Sequence, residues 1–260
     1  MAMMKVVLMN ASWYLFLGVL IAFGSSSSFG GDVSLCTQIN EICRFASTSN
    51  QGDREAIETR LLDLLSENAD PQSRGLVYAA IANVYGGALA HHAEDAVRFA
   101  REALRNQLSV TDECDMYLCL AKAIEAQVRH KQASDADARK EQVIPLIQGL
   151  SFVLDHLRID KRLSPPAVGK YDVNPVDPQY EEVVRQHAIQ ISIREDILQQ
   201  NRLLAYRDDF SQRVLQLYGA ASVKEPAFAR IVHEAVGSAG KVEKVLLQLD
   251  AVAEKLGKSR

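Results

Sequence analysis

The sequence carries no surplus of positive charge: 29 Lys and Arg stand against 33 Asp and Glu, for a net charge of −4. A nucleic-acid binder has to neutralise phosphates, so this balance argues against that class of partner. Four cysteines, seven prolines and one tryptophan are too few for a disulfide-dense mini-protein or a proline-rich low-complexity chain. No apolar–polar alternation persists long enough to predict a sheet. The chain also lacks a G-x-S-x-G elbow, a phosphate-cradling glycine loop, a dinucleotide fingerprint, a calcium loop, C-x-x-C and C-x-x-C-H. The sequence therefore implies no cofactor, no metal and no catalytic residue. A carboxylate pair assembled across space leaves no local trace, so an enzyme stays open as the alternative.

What is present is ordinary globular material. Across 260 residues, 48% are hydrophobic and 24% charged, enough for one generous domain or two small ones. The first thirty residues stand apart. Lys5 precedes Val6-Val7-Leu8-Met9 and the run Trp13 to Phe23, and Ser25 to Gly31 are nearly all small. A positive start, an apolar core and a small-residue stretch are the parts of a secretory signal peptide, with cleavage expected after Gly30. Asn10 and Ser12 interrupt the apolar run, leaving it short of the ~20 residues a spanning helix needs. An uncleaved N-terminal segment is the remaining route to a membrane. Bulky Leu35 before Cys36 argues against lipidation. The expected location is exported: periplasmic, cell-envelope or secreted. The mature chain then loses one Lys and no acid.

An exported chain invites a disulfide reading of Cys36, Cys43, Cys114 and Cys119. Cys36 and Cys43 are seven apart, about 10 Å along one helix; Cys114 and Cys119 are five apart and point to different sides. A bridge needs Cα atoms at roughly 4.4–6.8 Å, so neither pair closes within a continuous helix. Either a bridge links the two regions, or Cys36 lies outside the helix, or the four are thiols packed as small hydrophobes.

Beyond residue 30, apolar residues recur at helical spacing almost throughout, which predicts an all-α fold. Leu35, Ile39 and Ile42 mark a short helix, and Asp53 precedes a second. Asp70-Pro71 is a start signal, with Asp as N-cap and Pro at the first helical position; the helix it opens stops at Gly86-Gly87. Another follows His91-His92. Thr111 is expected to cap the next, Ser134 opens one more, and Pro145 within that last pattern predicts a kink or break. Four of the seven prolines (Pro165, Pro166, Pro175 and Pro178) fall in residues 159–179, read either as an extended interdomain connection or as a loop packed on one domain. From Pro178 to Tyr218 the helical pattern is uninterrupted, about 60 Å at 1.5 Å per residue. Two shorter helices, around 226–236 and 242–256, close the chain. The expected organisation is thus a signal peptide at 1–30, a helical domain at 31–158, the Pro-rich connection at 159–179 and a C-terminal helical region at 180–260.

Metal ligation calls for converging His, Cys or carboxylate groups. His91 and His92 are adjacent and point apart, and the remaining histidines share no spacing, so no metal site is expected. Arg194-Glu195-Asp196 and Tyr206-Arg207-Asp208-Asp209-Phe210 read as solvated charge, the latter flanked by core aromatics.

Residues Gly75 to Leu104 resemble one tetratricopeptide repeat, a helix-turn-helix unit of about 34 residues. Tyr78, Ile81, Ala82 and Tyr85 match the large, large, small and aromatic positions of its first helix, and Ala96, Ala100 and Ala103 fall in the second. Residues 111–157 would be a second, divergent unit with Ala121 aligned on Ala82. The turn from Gly86 to His92 is longer than the family's, and no proline closes the unit. The layout also resembles that of uncharacterised exported helical proteins of bacteria, which implies no activity. The repeat resemblance implies a groove for an extended peptide or partner helix, with Asn83, Lys122 and Glu125 at its ligand-facing positions. The expected function is a non-catalytic protein-binding or scaffold protein of the cell envelope. The alternatives are a helical enzyme with its site between the two halves, or a structural protein that self-associates through the long helix.

Overall fold

The computed structural model describes residues 33–44, 51–67, 70–86, 92–131, 135–168 and 179–258. These form an all-α fold, with no strand among the described residues. The expected signal peptide, His91, Ser134, Pro175 and Pro178 lie outside them. The helices are α1 (Val33–Cys43), α2 (Gln51–Glu67), α3 (Pro71–Gly86), α4 (Ala93–Leu104), α5 (Val110–Lys131), α6 (Asp135–His156), α7 (Tyr180–Tyr218), α8 (Pro226–Val236) and α9 (Ala239–Lys258), with a 3₁₀ turn at Ser222–Lys224 before α8. The chain divides into two compact units, after Leu108. The break expected at 159–179 does not coincide with that boundary; it falls inside the second unit.

In the first unit α3 is the central element, packed against α1, α2 and α4. Its sequence is apolar on nearly every side: Val77, Ala79, Ala80, Ile81, Ala82, Val84 and Tyr85 are all buried. A helix without a polar face has to be covered all round. Its start is the one the sequence predicts, the Ser73 amide donating to the Asp70 carboxylate at 2.9 Å. α4 runs antiparallel to it. Tyr85 lies 5.3 Å from His92 at the start of α4, Tyr78 lies 6.1 Å from Phe99 in its middle, and Gly75 meets the backbone of Gln107 beyond its end. Ala82, Ala96, Ala100 and Ala103 are fully buried, and small side chains there let the two axes approach closely.

In the second unit α6 is the hub, packing against α5, α7, α8 and α9. Val143, Leu146, Ile147, Leu150 and Val153 recur at spacings of three and four and are at most 3% exposed. They meet Leu203, Phe210 and Val214 of α7, Phe228 and Val232 of α8, and Val245 and Leu249 of α9 in one core. α6 runs through Pro145 without interruption, so of the expected kink or break the break does not occur. One intrahelical bond is forgone, while the flanking Val143, Leu146 and Ile147 are held in the core. α5 is capped by Ser109 rather than the expected Thr111: the Asp112 amide donates to Ser109 Oγ at 3.2 Å, and Ser109 Oγ donates to the Asp112 carboxylate at 2.5 Å. Ser109 thus caps a first-turn amide with its oxygen while its hydroxyl proton goes to the Asp112 carboxylate. α8 starts at Pro226 and ends at Gly237, whose φ of +67° is the left-handed conformation a glycine terminator supplies.

Residues 157–168 lie along α7. The buried Gln200 side chain accepts from the Arg158 amide at 2.7 Å and donates to the His156 carbonyl at 3.3 Å, so it satisfies backbone groups where α6 ends. Asn201 accepts from the Leu163 amide at 3.0 Å and donates to the Leu163 carbonyl at 2.8 Å. Arg194 donates to the Pro166 carbonyl at 3.2 Å, and Arg158 pairs with Asp196. Residues 157–168 are therefore a strap bound along α7.

Candidate functional site

One group of partly buried polar side chains lies where α5 meets α7. Tyr206 donates to the Asp115 carboxylate at 2.6 Å across 91 residues of sequence. Burial raises the Asp115 carboxyl above its usual range, opposed by the Tyr206 hydroxyl and by the charges of Lys122 and Arg202. Asp112, 9% exposed, is pushed up to about 6, chiefly by burial and also by the neighbouring charge of Asp115, against the pull of its bond from Ser109. The Lys122 ammonium is lowered, first by burial and then by Arg213, while Asp209 and Asp115 counteract. Arg213 pairs with Asp209 at 2.9 Å, and Arg207 with Asp208 at 2.8 Å. Glu113 is raised by burial and moderated by His156 and by Tyr117, whose ring lies 6.2 Å from Phe152. The cluster thus joins buried carboxyls that hold protons more tightly than solvated ones to a phenol and an ammonium. Within it the Asp112 carboxyl, pushed up to about 6, is the group that takes up its proton nearest to neutral pH. Among the described residues, no group of three or more His, Cys, Asp or Glu has the geometry to hold a metal ion.

A second polar group lies in the first unit. Tyr85 donates to Glu58, which faces Arg98 at 3.5 Å; Arg98 also pairs with Asp95 at 3.1 Å and sits 4.4 Å over the Phe99 ring. His92 is 3.8 Å from Asp95. Burial, reinforced by Glu58, raises the Tyr85 hydroxyl well above its ordinary range. These contacts tie α2 and α4 to the end of α3.

The residues expected to face a ligand are distributed as follows. Asn83 is partly buried on α3, in the first unit. Lys122 and Glu125 lie on α5, in the second. Lys122 is partly buried within the cluster just described, and Glu125 is paired with Arg129 on its own helix. Cys36, Cys43, Cys114 and Cys119 carry thiols. Burial pushes the Cys43 thiol up to about 11 and the Cys119 thiol up to about 12. At neutral pH the Cys43 and Cys119 sulfurs are held as thiols, the less nucleophilic form.

Sequence reasoning missed Asp112, Asp115 and Tyr206. The Ser109–Asp112 spacing was the one available local signal, since it spells a helix cap. Nothing near Asp115 announces that Tyr206 would reach it.

The other functional candidate is a surface. Burial along α7 begins only at Gln200. Before it, Val184, Ile189, Ile191, Ile193 and Leu198 are 36–50% exposed. Val184, Ile191 and Leu198 recur every seven residues, so they fall within about 40° of one another on the helix. Gln200, nine residues after Ile191, lies half a turn out of phase, which puts this stripe opposite the side of α7 that faces the core.

No protein-family model, curated protein or solved structure matches this chain.

Proposed function

We propose that this chain is a non-catalytic, exported scaffold protein that binds protein partners through helix surfaces. The observation that carries the reading is the first half of α7, where apolar side chains stand in solvent on a helix whose second half is anchored in the core. Apolar side chains gathered on one exposed helix face are the kind of surface a protein partner covers. The α3–α4 pair, with alanines at its contact, supports the helical-repeat component of the proposal. Export rests on the residue pattern before Gly31, and cleavage there is tested by N-terminal sequencing of the protein recovered from cells: a start near Gly31 supports it, and an intact Met1 overturns cleavage.

The binding reading is tested by affinity capture from envelope extract with the full chain as bait. Two variants run in parallel, Val184→Glu/Leu198→Glu on α7 and Asn83→Ala/Lys122→Ala on the expected groove. A saturable partner lost by the α7 variant supports that surface, and one lost only by the groove variant moves binding to the repeat face. Absence of any saturable partner sinks the binding reading.

The α5–α7 cluster favours one second reading, a helical enzyme using Asp112 or Asp115 as a proton carrier, because perturbed carboxyls gather at active sites. Activity screening with Asp115→Asn as control separates it: turnover that the variant abolishes would replace the scaffold reading.

A further inference from the structure

The partner for the α7 stripe can be specified further, on the reading that this surface binds protein. We infer that its occupant is a second copy of this chain, docked antiparallel with Ile191 on the two-fold axis. The stripe is symmetric in spacing: Val184 lies seven residues before Ile191 and Leu198 seven after. An antiparallel pair centred on Ile191 therefore sets Val184 against the partner's Leu198, twice, with Ile191 against itself between them. This is the self-complementary pattern an isologous interface requires.

Charge selects the same arrangement. Glu181, ten residues before the centre, and Arg202, eleven after it, are both exposed and lie on the same flank of the stripe. Antiparallel docking brings each Glu181 level with the partner's Arg202, to within one residue's rise of ~1.5 Å. Parallel docking instead carries the two copies of Glu181 to opposite flanks of the pair and leaves neither level with an Arg202. Like charges placed opposite each other disfavour a register, and opposite charges fix it. Three apolar side chains per copy make a contact at the small end of interface sizes, so the dimer is expected to dissociate in the micromolar range.

The test reads mass against concentration by analytical ultracentrifugation of the full chain, from about 1 to 500 μM. Wild type should pass from monomer to dimer, and Ile191→Glu should weaken the dimer at least about tenfold, the effect of one charge buried on the axis. Circular dichroism confirms that the variant is folded. Cysteine cross-linking fixes the geometry independently of that variant, with wild type as the control for the native thiols. Ile191→Cys should form an intermolecular disulfide with its own copy. Val184→Cys alone should not, and should do so when mixed with Leu198→Cys. A monomer at every concentration overturns the self-association while leaving capture of a different partner to decide the broader binding reading. A dimer that Ile191→Glu leaves unchanged overturns this face. Self-cross-linking by Val184→Cys overturns the antiparallel register.

Discussion

The ring of Phe210 on α7 rests on Gly149 of α6, where a methyl group would overlap the ring edge and lie 3.0 Å from Cε2. Both residues are buried, Phe210 completely. The pairing sets how closely α7 approaches the hub helix, because a glycine is what lets an aromatic ring seat against the backbone.

Gly149→Ala is therefore expected to destabilise the second unit by about 1–3 kcal/mol, the usual penalty for overpacking. Alanine's better helix propensity, about 1 kcal/mol, offsets only part of it. Urea denaturation of Gly149→Ala, Phe210→Leu and the double variant measures the coupling. The double variant should lose less than the sum of the singles, since the smaller side chain vacates the space the methyl needs. Strict additivity would show that the contact does not govern the packing.

Tyr206→Phe removes the donor to Asp115. A partly buried carboxylate left short of a partner costs about 1–3 kcal/mol. The loss should be larger at neutral than at acid pH, since protonation relieves Asp115 of the need for a donor. An Asp115→Asn background should reduce the effect of the Tyr206 change. Equal losses at both pH values would count against this account.

Asp112 makes stability fall with rising pH. Its carboxyl is raised in the folded chain to about 6 from 3.8. Between those values the folded chain keeps a proton that the unfolded chain has released, so stability declines through that window and the penalty is complete above it. At about 1.36 kcal/mol per unit the total is about 3 kcal/mol. Asp112→Asn carries no such charge, so its stability relative to wild type should improve by that order between pH 4 and pH 7.5. Chemical denaturation of both proteins at the two pH values checks this; a constant difference between them contradicts it.

Gln200→Ala should release the strap at 157–168. The substitution leaves the Arg158 amide and the His156 carbonyl without their side-chain partner, at a cost of about 1–3 kcal/mol. Trypsin should then cut at Lys161 and Arg162 faster than in wild type under native conditions. Asn201→Ala should act in the same direction and more weakly, since its bonds to Leu163 are exposed. Unchanged cleavage in both variants would show that the strap is held by other contacts.

The site was less legible in the sequence than the fold. The expected groove residues were placed by a repeat resemblance, and the structure sets Asn83 in a different unit from Lys122 and Glu125. The charge run at 206–210 read as solvated, and Arg207 to Asp209 do pair among themselves and with Arg213. Tyr206, at its edge, instead turns to α5. A hydrogen bond between residues 91 positions apart has no local signature, because the pattern around each partner is that of an ordinary amphipathic helix.

What the sequence determined by itself is what acts within a few residues. Asp70-Pro71 starts α3, Pro226 starts α8, Gly237 ends it, and 39 residues without proline or glycine extend α7 from Tyr180 to Tyr218. These follow from backbone conformation and hydrogen bonding over one or two turns. Tertiary structure decided the rest. It carried α6 through Pro145, made Ser109 the cap of α5, strapped 157–168 to α7 and put the unit boundary after Leu108 instead of among the prolines. Each of those outcomes depends on which apolar faces meet, and long-range burial outweighs a local preference of about 3 kcal/mol.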